Sequence, residues 1–550
     1  MQNNHSFRIT ARRIDLLGSS ISASTIVVEN GIITAIEPAD EADCNTFLLP
    51  GFIDAHVHVE SSLLIPSEFA RMAVVHGMVG TISDPHEIAN VLGVFGVEYM
   101  LKNAARVPFH FFFGAPSCVP ATVFETAGDT INPAQVEYLL KRPDIWYLAE
   151  VMNYPSVLAG DEDMIAKIDA AKRCGKPVDG HAPGLRGDDV VRYAAAGITT
   201  DHECFTLDEA LDKIKAGMWV QIREGSAARN FDALHTLLGS HPERVMLCSD
   251  DKHPDNLLEG HINVQVKRAL SLGYNLFDVL RASSWNVKQH YNLPVGMLQV
   301  GDSADFIEID SIEQFNILGT WIQGEQVASK GKTNIHHHEE RPENRFHSRE
   351  VKLEELFFPA QNGQLRVIEA LEGQLITREL HLPPRINEEG NVLSQPDQDI
   401  LKIVVVNRYH DAPPAIAFIR NFGLKKGAIA STVAHDSHNI IATGCTDEEI
   451  LRAINLLMLS KGGLCAVDKE EDHLLALPVA GLMSNDDGWE VAKRYIHLDT
   501  FVKEKLGSKL RAPYMTLSFM ALLVIPQLKL SDKGLFDGST FRFTSNWAEA

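Results

Sequence analysis

The chain has 550 residues, of which 45% are hydrophobic, and it carries a formal net charge of -23. This length exceeds one ordinary domain, so we expect two or three domains with a large buried core. The negative charge argues against nucleic acid and against an anionic membrane surface as partners, and it fits an enzyme that acts on a small molecule.

The seven cysteines are scattered along the chain, and no two of them form a Cys-x-x-Cys pair. This pattern argues against a disulfide framework and against a thiolate zinc site. The first residues, MQNNHSFRITARRIDL, lack the apolar core of a signal peptide, and no apolar run is long enough to cross a bilayer. We therefore expect a cytoplasmic protein.

The two flanks of the N-terminal half have similar strand patterns. Residues 8–49 are predicted to form short strands, with a hairpin at Asn30-Gly31 between two β-branched runs. A similar pattern returns at 300–327, where Gly324 offers a turn. Together they predict a small β domain built from both flanks, residues 1–50 plus 300–333.

Between the flanks, short apolar runs alternate with helical stretches. We count about eight runs: 51–58, 80–85, 108–114, 145–151, 177–182, 198–203, 218–224 and 245–251. Hydrophobic strands that alternate with helices favour a parallel sheet, and eight such units have the size of a (β/α)8 TIM-like barrel, here residues 51–299. The alternative is an open doubly wound sheet, but the chain has neither G-x-G-x-x-G nor a P-loop lysine motif.

The stretch 334–350 is polar and contains a run of three histidines, which we interpret as part of a linker rather than as a metal site. Residues 351–550 are predicted to form a C-terminal α+β domain. Within it, apolar residues at helical spacing predict a helix over 447–462. The sequence His435-Asp436-Ser437-His438 indicates either a second site or a polar turn at the domain interface.

Side chains that can bind a metal stand where five of the predicted barrel strands end. They are His56 and His58 on strand one, Glu150 on strand four, His181 on strand five, His202 on strand six and Asp250 on strand eight. Active-site residues of such barrels lie at the carboxyl ends of the strands, so these side chains predict one metal site. Four imidazoles and two carboxylates exceed the ligands of a single zinc ion, which predicts a binuclear divalent metal centre of Mn, Fe or Zn.

The chain also carries longer motifs. They are PGFIDAHVHVESS (50–62), TISDPHEIANVLG (81–93), VDGHAPGLRG (178–187), TTDHE (199–203), CSDDKHPDNLLEGHIN (248–263), VAHDSHNIIATG (433–444) and APYMTLSFMALLVIPQLKLSDKGLFD (512–537). These motifs resemble the amidohydrolase superfamily of metal-dependent hydrolases, and most closely its adenine deaminase branch. The resemblance implies hydrolysis of adenine, a small purine, to hypoxanthine and ammonia, with Mn or Fe preferred over Zn. The alternatives are another cyclic amidase or heterocycle deaminase of the superfamily, and a metal-binding protein without turnover.

The resemblance also implies roles for individual residues. The metal ligands would be His56, His58, Glu150, His181, His202 and Asp250. Glu150 stands where many two-metal relatives carry a carboxylated lysine, so it would bridge the ions directly. Asp250 would take the proton of the attacking hydroxide and pass it toward the leaving amine. Apart from the resemblance, His86 and Glu87 after strand two are candidates for substrate contact or for support of the ligands. Further candidates for hydrogen bonds to the ligands or the substrate are Glu60, Arg186, Glu203 and Asp251, and a salt bridge or a helix cap is the alternative for each of these four.

We assign the proton shuttle to Asp250 rather than to Asp251. Neighbouring residues of a strand point to opposite faces, so we expect Asp250 to face the metals while Ser249 and Asp251 face away. We also expect a homo-oligomer.

Overall fold

The computed structural model describes residues 6–347 and 349–548. It begins with four strands of a flanking sheet: β1 (Phe7–Asp15), β2 (Ser20–Glu29), β3 (Ile32–Pro38) and β4 (Phe47–Pro50). The turn between β2 and β3 places Asn30 at φ 52° and Gly31 at φ 80°, a left-handed conformation that suits this residue pair. The predicted hairpin is therefore confirmed.

Eight short parallel strands follow, one within or overlapping each of the eight predicted runs. They are β5 (Phe52–Val57), β6 (Met78–Ser83), β7 (His110–Ala115), β8 (Ile145–Val151), β9 (Val178–Gly180), β10 (Thr200–Asp201), β11 (Trp219–Arg223) and β12 (Val245–Cys248). Strands β5 to β9 and β10 to β12 pair in chain order. The Thr199 N–H, directly before β10, donates to the Val178 carbonyl in β9, and Val57 in β5 bridges to Asp250 beyond β12. These links curl the sheet into the predicted barrel.

Helices cover the outside of the barrel and connect its strands. They are α1 (Pro66–Ala73), α2 (His86–Leu92), α3 (Val94–Ala104), α4 (Pro133–Leu140), α5 (Tyr154–Ala159), α6 (Glu162–Arg173), α7 (Gly187–Ala195), α8 (Leu207–Lys215), α9 (Phe231–Leu234), α10 (Leu237–Ser240), α11 (Pro254–Glu259), α12 (Ile262–Ser271), α13 (Leu276–Leu280) and α14 (Asn286–Tyr291). Among the described residues, no helix has the length and hydropathy needed to cross a membrane.

The chain then returns to the flanking sheet. It adds β13 (Phe306–Ile309), β14 (Ile317–Ile322), β15 (Glu325–Ser329) and β16 (Lys332–Thr333). The eight strands lie in the order β16-β15-β14-β13-β4-β1-β2-β3, so the sheet is built from both flanks, as predicted. Strand β4 leads through Gly51 into β5, and the flanking sheet therefore holds the start of the strand that carries His56.

The C-terminal domain is an α+β domain with fourteen strands among its described residues, nine of which form its central sheet. Its strands are β17 (Gln364–Ala370), β18 (Thr377–Leu382), β19 (Arg385–Ile386), β20 (Val392–Leu393), β21 (Ile400–Val406), β22 (Ala415–Arg420), β23 (Ala428–Ser431), β24 (Ile440–Gly444), β25 (Gly463–Val467), β26 (Asp472–Ala476), β27 (Leu528–Ser531), β28 (Gly534–Asp537), β29 (Arg542–Phe543) and β30 (Trp547–Ala548). The helices are α15 (Asp447–Ser460), α16 (Gly488–Glu504) and α17 (Pro513–Phe519). Helix α15 confirms the helix predicted from apolar spacing, and the Thr446 side chain caps it by accepting from Glu449 N–H.

The C-terminal domain and the polar segment before it both pack against the barrel. His337 Nδ1 lies 2.8 Å from a carboxylate oxygen of the buried Glu68 on α1. Ser484 N–H donates to the Leu63 carbonyl at 2.7 Å, and Thr126 N–H donates to Asp532 at 2.9 Å. One continuous hydrophobic core runs through both domains. The C-terminal domain therefore packs directly against the barrel and is not joined to it by the linker alone.

Candidate active site

The first half of the metal-binding cluster lies where β5 meets β12. His56 and His58 project from the end of β5, and their Nε2 atoms are 3.2 Å apart. His58 Nε2 lies 3.3 Å from Asp250 Oδ1 and 3.3 Å from Glu150 Oε1. These four side chains are buried. Two donors that each lie about 2.0–2.2 Å from one ion are roughly 3–3.5 Å apart, so the spacing fits ligands of a single metal ion.

The second half of the cluster lies at the ends of β8, β9 and β10. The other carboxylate oxygen of Glu150, Oε2, is 2.8 Å from His181 Nδ1 and 3.1 Å from His202 Nε2. Glu150 thus faces His58 with one oxygen and His181 and His202 with the other, which is the position of a bridging ligand. The structure brings together all six residues that the sequence indicated as ligands.

The imidazoles and carboxylates of the cluster strongly perturb one another. Burial holds the pKa of His56 well below 6.5, whereas burial at His58 is outweighed by the carboxylates of Asp250 and Glu150, which raise its pKa well above 6.5. Burial alone would raise the pKa of Glu150, but His181 and two further histidines beside it lower that pKa well below 4.5. The nitrogens that face the cluster are His56 Nε2, His181 Nδ1 and His202 Nε2, and each lies within 3.2 Å of another member of the cluster. The donor set therefore fits a binuclear divalent metal centre.

Arg223 is a member of the site that the sequence analysis missed. It ends β11, is 2% exposed, and places its guanidinium between two carboxylates. It contacts Glu203 through Nη2 at 2.9 Å and Asp250 through Nη1 at 2.5 Å. The seventh barrel strand ends in a cationic side chain. The sequence pattern of metal-binding groups at strand ends does not include such a residue. A charged residue at the end of a buried strand was the available signal.

The predicted opposite orientation of Asp250 and Asp251 is wrong. Strand β12 ends at Cys248, and Asp250 adopts φ 56°, so the alternation of a strand no longer applies there. Both aspartates line the same cavity, and Asp251 accepts a hydrogen bond from the Ser61 hydroxyl at 2.5 Å. Ser249 turns away instead, and its N–H donates to Asp54 at 3.0 Å.

The cavity at the barrel mouth has a polar floor and an apolar roof. Its volume is about 20 Å³. The floor is formed by five of the six cluster residues, all except His56, together with Glu203 and Asp251, and by His86 and Glu87 at the start of α2. The C-terminal domain supplies His435 and Asp436 and the apolar side chains Leu375, Phe519 and Leu522. The cavity is therefore shared between the two domains, which agrees with the interface interpretation of His435 to His438.

A buried lysine holds the apolar roof in place. Lys529 on β27 is fully buried, and its ammonium group donates to the carbonyls of Leu375 at 2.6 Å and Phe519 at 2.9 Å. Burial lowers the pKa of Lys529 to about 7. Lys529 thus links the segments around Leu375 and Phe519, which are distant in sequence and both contribute a side chain to the cavity.

Two of the candidate residues lie outside the cavity. Arg186 is exposed, and its Nε donates to Asp212 at 2.6 Å, so the salt-bridge alternative describes it. Glu60 is buried beneath Glu87 and accepts from Ile88 N–H at 3.2 Å. Burial raises the pKa of Glu60 to about 7, with a smaller contribution from the charge of Glu87. The structure thus gives Glu60 a supporting position and gives Arg186 none at the site.

Two family models match the chain, one over the flanking sheet and the barrel and one over the C-terminal domain. Residues 47–327 match the model of the amidohydrolase family, and residues 374–542 match that of the adenine deaminase C-terminal domain. An adenine deaminase from Sulfurovum sp. is 54% identical over 96% of this chain and 98% of its own length. The chain belongs to the adenine deaminase family.

A second adenine deaminase also aligns over nearly the whole length of both chains. An adenine deaminase from Salinibacter ruber is 53% identical over 99% of both chains. Among solved structures, a D-hydantoinase from Thermus sp. is 13% identical, covers 59% of this chain and 96% of its own, and gives a TM-score of 0.46. The resemblance inferred from the motifs is confirmed by the relatives, and the family match includes the C-terminal domain.

Proposed function

We propose that the protein hydrolyses adenine to hypoxanthine and ammonia, acting on the C–N bond of a cyclic amidine. Membership of the adenine deaminase family supports this activity. The observation that carries the proposal is the cluster at the barrel mouth, in which Glu150 lies between two sets of histidines. Such a cluster suits hydrolysis at an electrophilic carbon, because it combines metal-binding groups with a neighbouring carboxylate.

We assign the metal ligands to six residues: His56, His58, Glu150, His181, His202 and Asp250. Divalent ions held by these residues would supply a water-derived nucleophile at neutral pH, because such ions lower the pKa of bound water. The nitrogen and oxygen donors, without a thiolate, suit Mn or Fe and also admit Zn. Glu150 carries the charge that lets two cations lie close together.

Asp250 is proposed to move the proton. Its burial would raise its pKa, but Arg223 beside it lowers that pKa well below 3.8, and the carboxylate is ionised at neutral pH. It can therefore accept a proton from the nucleophile. Water supplies two protons in the overall reaction: one goes to the ring nitrogen as the oxygen adds to C6, and the other is carried by the same carboxylate to the amine, which leaves as ammonia. Arg223 and Glu203 act as positioning residues, because they hold Asp250 through the guanidinium.

The purine is proposed to lie between the polar floor and the apolar roof of the cavity. Phe519 and Leu522 offer surfaces on which a flat ring can pack. His86, Glu87 and Asp251 offer hydrogen-bond groups to the ring edge. This arrangement assigns substrate contact to both domains.

The decisive experiment measures ammonia release from adenine by protein loaded separately with Mn, Fe or Zn. Asp250→Asn should lower kcat by at least about 10²-fold, because general acid–base catalysis contributes roughly 10²–10⁴-fold. Asp212→Asn is the matched control, since this aspartate pairs with Arg186 outside the cavity. Ammonia release from a different heterocycle but not from adenine would indicate another amidohydrolase activity. No turnover with any purine would indicate a binding protein.

We further propose a cytoplasmic homo-oligomer that serves adenine catabolism and purine salvage. All seven cysteines are free thiols in the structure, which suits a reducing compartment. The net charge of -23 is unfavourable for binding to nucleic acid. Light scattering of the purified protein tests the oligomeric state, and a monomer would contradict that part of the proposal.

A further inference from the structure

The barrel has a seam between β9 and β10. Strands β5 to β9 form one sheet and β10 to β12 form another, so among the described strands no ladder of hydrogen bonds joins β9 to β10. These are the two shortest strands of the barrel, with three and two residues. His181 directly follows β9 and His202 directly follows β10. Two of the proposed metal ligands therefore stand on opposite sides of the seam, where a strand ladder does not fix their separation.

A buried lysine on α8 closes this seam. Lys213 is fully buried, and its ammonium group lies 2.8 Å from Asp201 Oδ1 and 3.2 Å from Glu209 Oε1. It also donates to the carbonyl of Ala182 at 2.8 Å. An ammonium group has three N–H donors, and each of them finds an acceptor here. We call Lys213, Asp201 and Glu209 the Lys213 anchor.

Asp201 links the two sides of the seam. One carboxylate oxygen, Oδ2, accepts from Ala182 N–H at 2.9 Å, on the side of His181. The other, Oδ1, accepts from Glu203 N–H at 2.8 Å, on the side of His202. Each donor is the neighbour of a proposed metal ligand in the chain, so this carboxylate ties the positions of the two histidines to each other.

Glu209 makes a second link of the same kind. Its Oε1 accepts from Gly184 N–H at 2.7 Å in the loop after β9, and its Oε2 accepts from Phe205 N–H at 3.0 Å in the loop after β10. Buried carboxylates are costly unless they are paired with a cation, and Lys213 pairs with both carboxylates of the anchor. The lysine therefore allows two buried carboxylates to serve as acceptors for the backbone of both loops.

We propose that Lys213 is a positioning residue of the metal site. By pairing with Asp201 and Glu209 it fixes the two loops and so sets the separation of His181 and His202. Contacts behind metal ligands orient those ligands and tune the affinity for the ion. The proposal rests on the metal ligands of the proposed function, but it does not depend on which substrate is hydrolysed.

The Lys213 anchor also reaches the proposed proton shuttle. Glu203, one of the residues held at the seam, contacts Arg223 Nη2 through its side chain at 2.9 Å. Arg223 in turn contacts Asp250 through Nη1 at 2.5 Å. A shift of the loop after β10 would therefore move the partner of Asp250 as well as a metal ligand.

The competing explanation is that the Lys213 anchor only stabilises the fold. Loss of a buried ion network then lowers the free energy of unfolding, but the molecules that remain folded bind metal as before. The positioning role predicts instead that folded molecules bind metal more weakly. Metal affinity measured on folded protein separates the two explanations.

Removal of the ammonium group supplies the test. Lys213→Met keeps an unbranched apolar side chain but removes all three donors. Mn²⁺ is titrated calorimetrically into the metal-free full-length protein, at a temperature at which circular dichroism shows the variant to be folded. We expect the affinity for Mn²⁺ to fall by about 10–100-fold, the usual effect of losing a contact that orients a metal ligand. Amide hydrogen exchange in 181–186 and 202–206 of the metal-free protein should also become faster.

Lys215→Met is the matched control, because Lys215 lies on the same helix but is exposed. It should match the wild-type protein in both measurements. Wild-type Mn²⁺ affinity in folded Lys213→Met, or unchanged exchange in the two loops, would overturn the positioning role. A wild-type protein that binds no Mn²⁺ would instead refute the proposed metal ligands, and this proposal with them.

A second variant applies if Lys213→Met does not fold. Glu209→Gln keeps the pair of Lys213 with Asp201, but its amide has a single oxygen and can hold only one of the Gly184 and Phe205 N–H groups. It should also weaken Mn²⁺ binding, and an affinity equal to that of the wild type would overturn the proposal.

Discussion

Replacement of Arg223 by methionine should destabilise the metal-free protein by about 3–5 kcal/mol, the cost of leaving a buried ion pair without one partner. Arg223 is 2% exposed and serves two carboxylates at once, Glu203 and Asp250. Methionine keeps the length of the side chain but removes all its hydrogen-bond donors. The loss belongs in the upper half of the range, because two buried charges lose their partner. Arg223→Lys keeps the charge without the planar fork and should cost less.

The destabilisation should depend on pH in a defined direction. In the wild-type protein the charge of Arg223 lowers the pKa of Asp250 well below 3.8. A carboxylate with a lowered folded-state pKa stabilises the fold above its unfolded pKa of about 3.9, and this stabilisation is lost as the pH falls through the folded pKa. The difference between wild type and Arg223→Met should therefore be largest near neutral pH and should shrink under acid conditions.

Urea unfolding of the metal-free wild type, Arg223→Met and Arg223→Lys at neutral and acidic pH measures this difference. Arg229→Met is a suitable control, because Arg229 is half-buried and lies 3.8 Å from a single carboxylate, Glu224. A change in stability below about 1 kcal/mol for Arg223→Met at neutral pH would refute the reasoning, since it would mean that Glu203 and Asp250 need no cation between them.

Four further outcomes are expected. Glu150→Gln should lose the ions of the binuclear centre together with activity, and metal analysis that finds them retained would contradict the bridging role. Asp251→Asn should act mainly on KM, and a kcat loss as large as that of Asp250→Asn would show that both aspartates handle the proton. Truncation after Asn334 should give insoluble protein, because the barrel would expose the surface that the C-terminal domain covers; a soluble, active fragment would argue against this. Lys529→Met should raise KM for adenine about tenfold at unchanged metal content. The stability of wild type relative to this variant should increase as the pH rises from about 7 to about 10, because only the unfolded lysine is protonated in that range.

The barrel and the flanking sheet could be predicted because their signals are local. Each barrel strand is a short hydrophobic run, and parallel strands covered by helices leave that pattern in the sequence. The six proposed ligands could be predicted for a related reason, since barrel topology brings the ends of distant strands together. His56 and Glu150 are 94 positions apart in the sequence, yet their side chains lie 4.0 Å apart.

The rest of the site depends on packing that leaves no local signal. The orientation of Asp251 was predicted wrongly, because strand periodicity was extended past Cys248, where the backbone leaves the strand. The roof of the cavity was not anticipated: Leu375 and Phe519 are ordinary apolar residues until the C-terminal domain is placed on the barrel. Arg186 follows the His181 motif in sequence, but its side chain reaches Asp212 at the surface.

The closed roof has a kinetic consequence. The cavity is narrow, and its roof is formed by segments that lie far apart in the sequence. Any widening of the cavity would move the segments that carry Leu375 and Phe519 together, because Lys529 links them. If such a movement limited product release, turnover would depend on solvent viscosity as well as on chemistry.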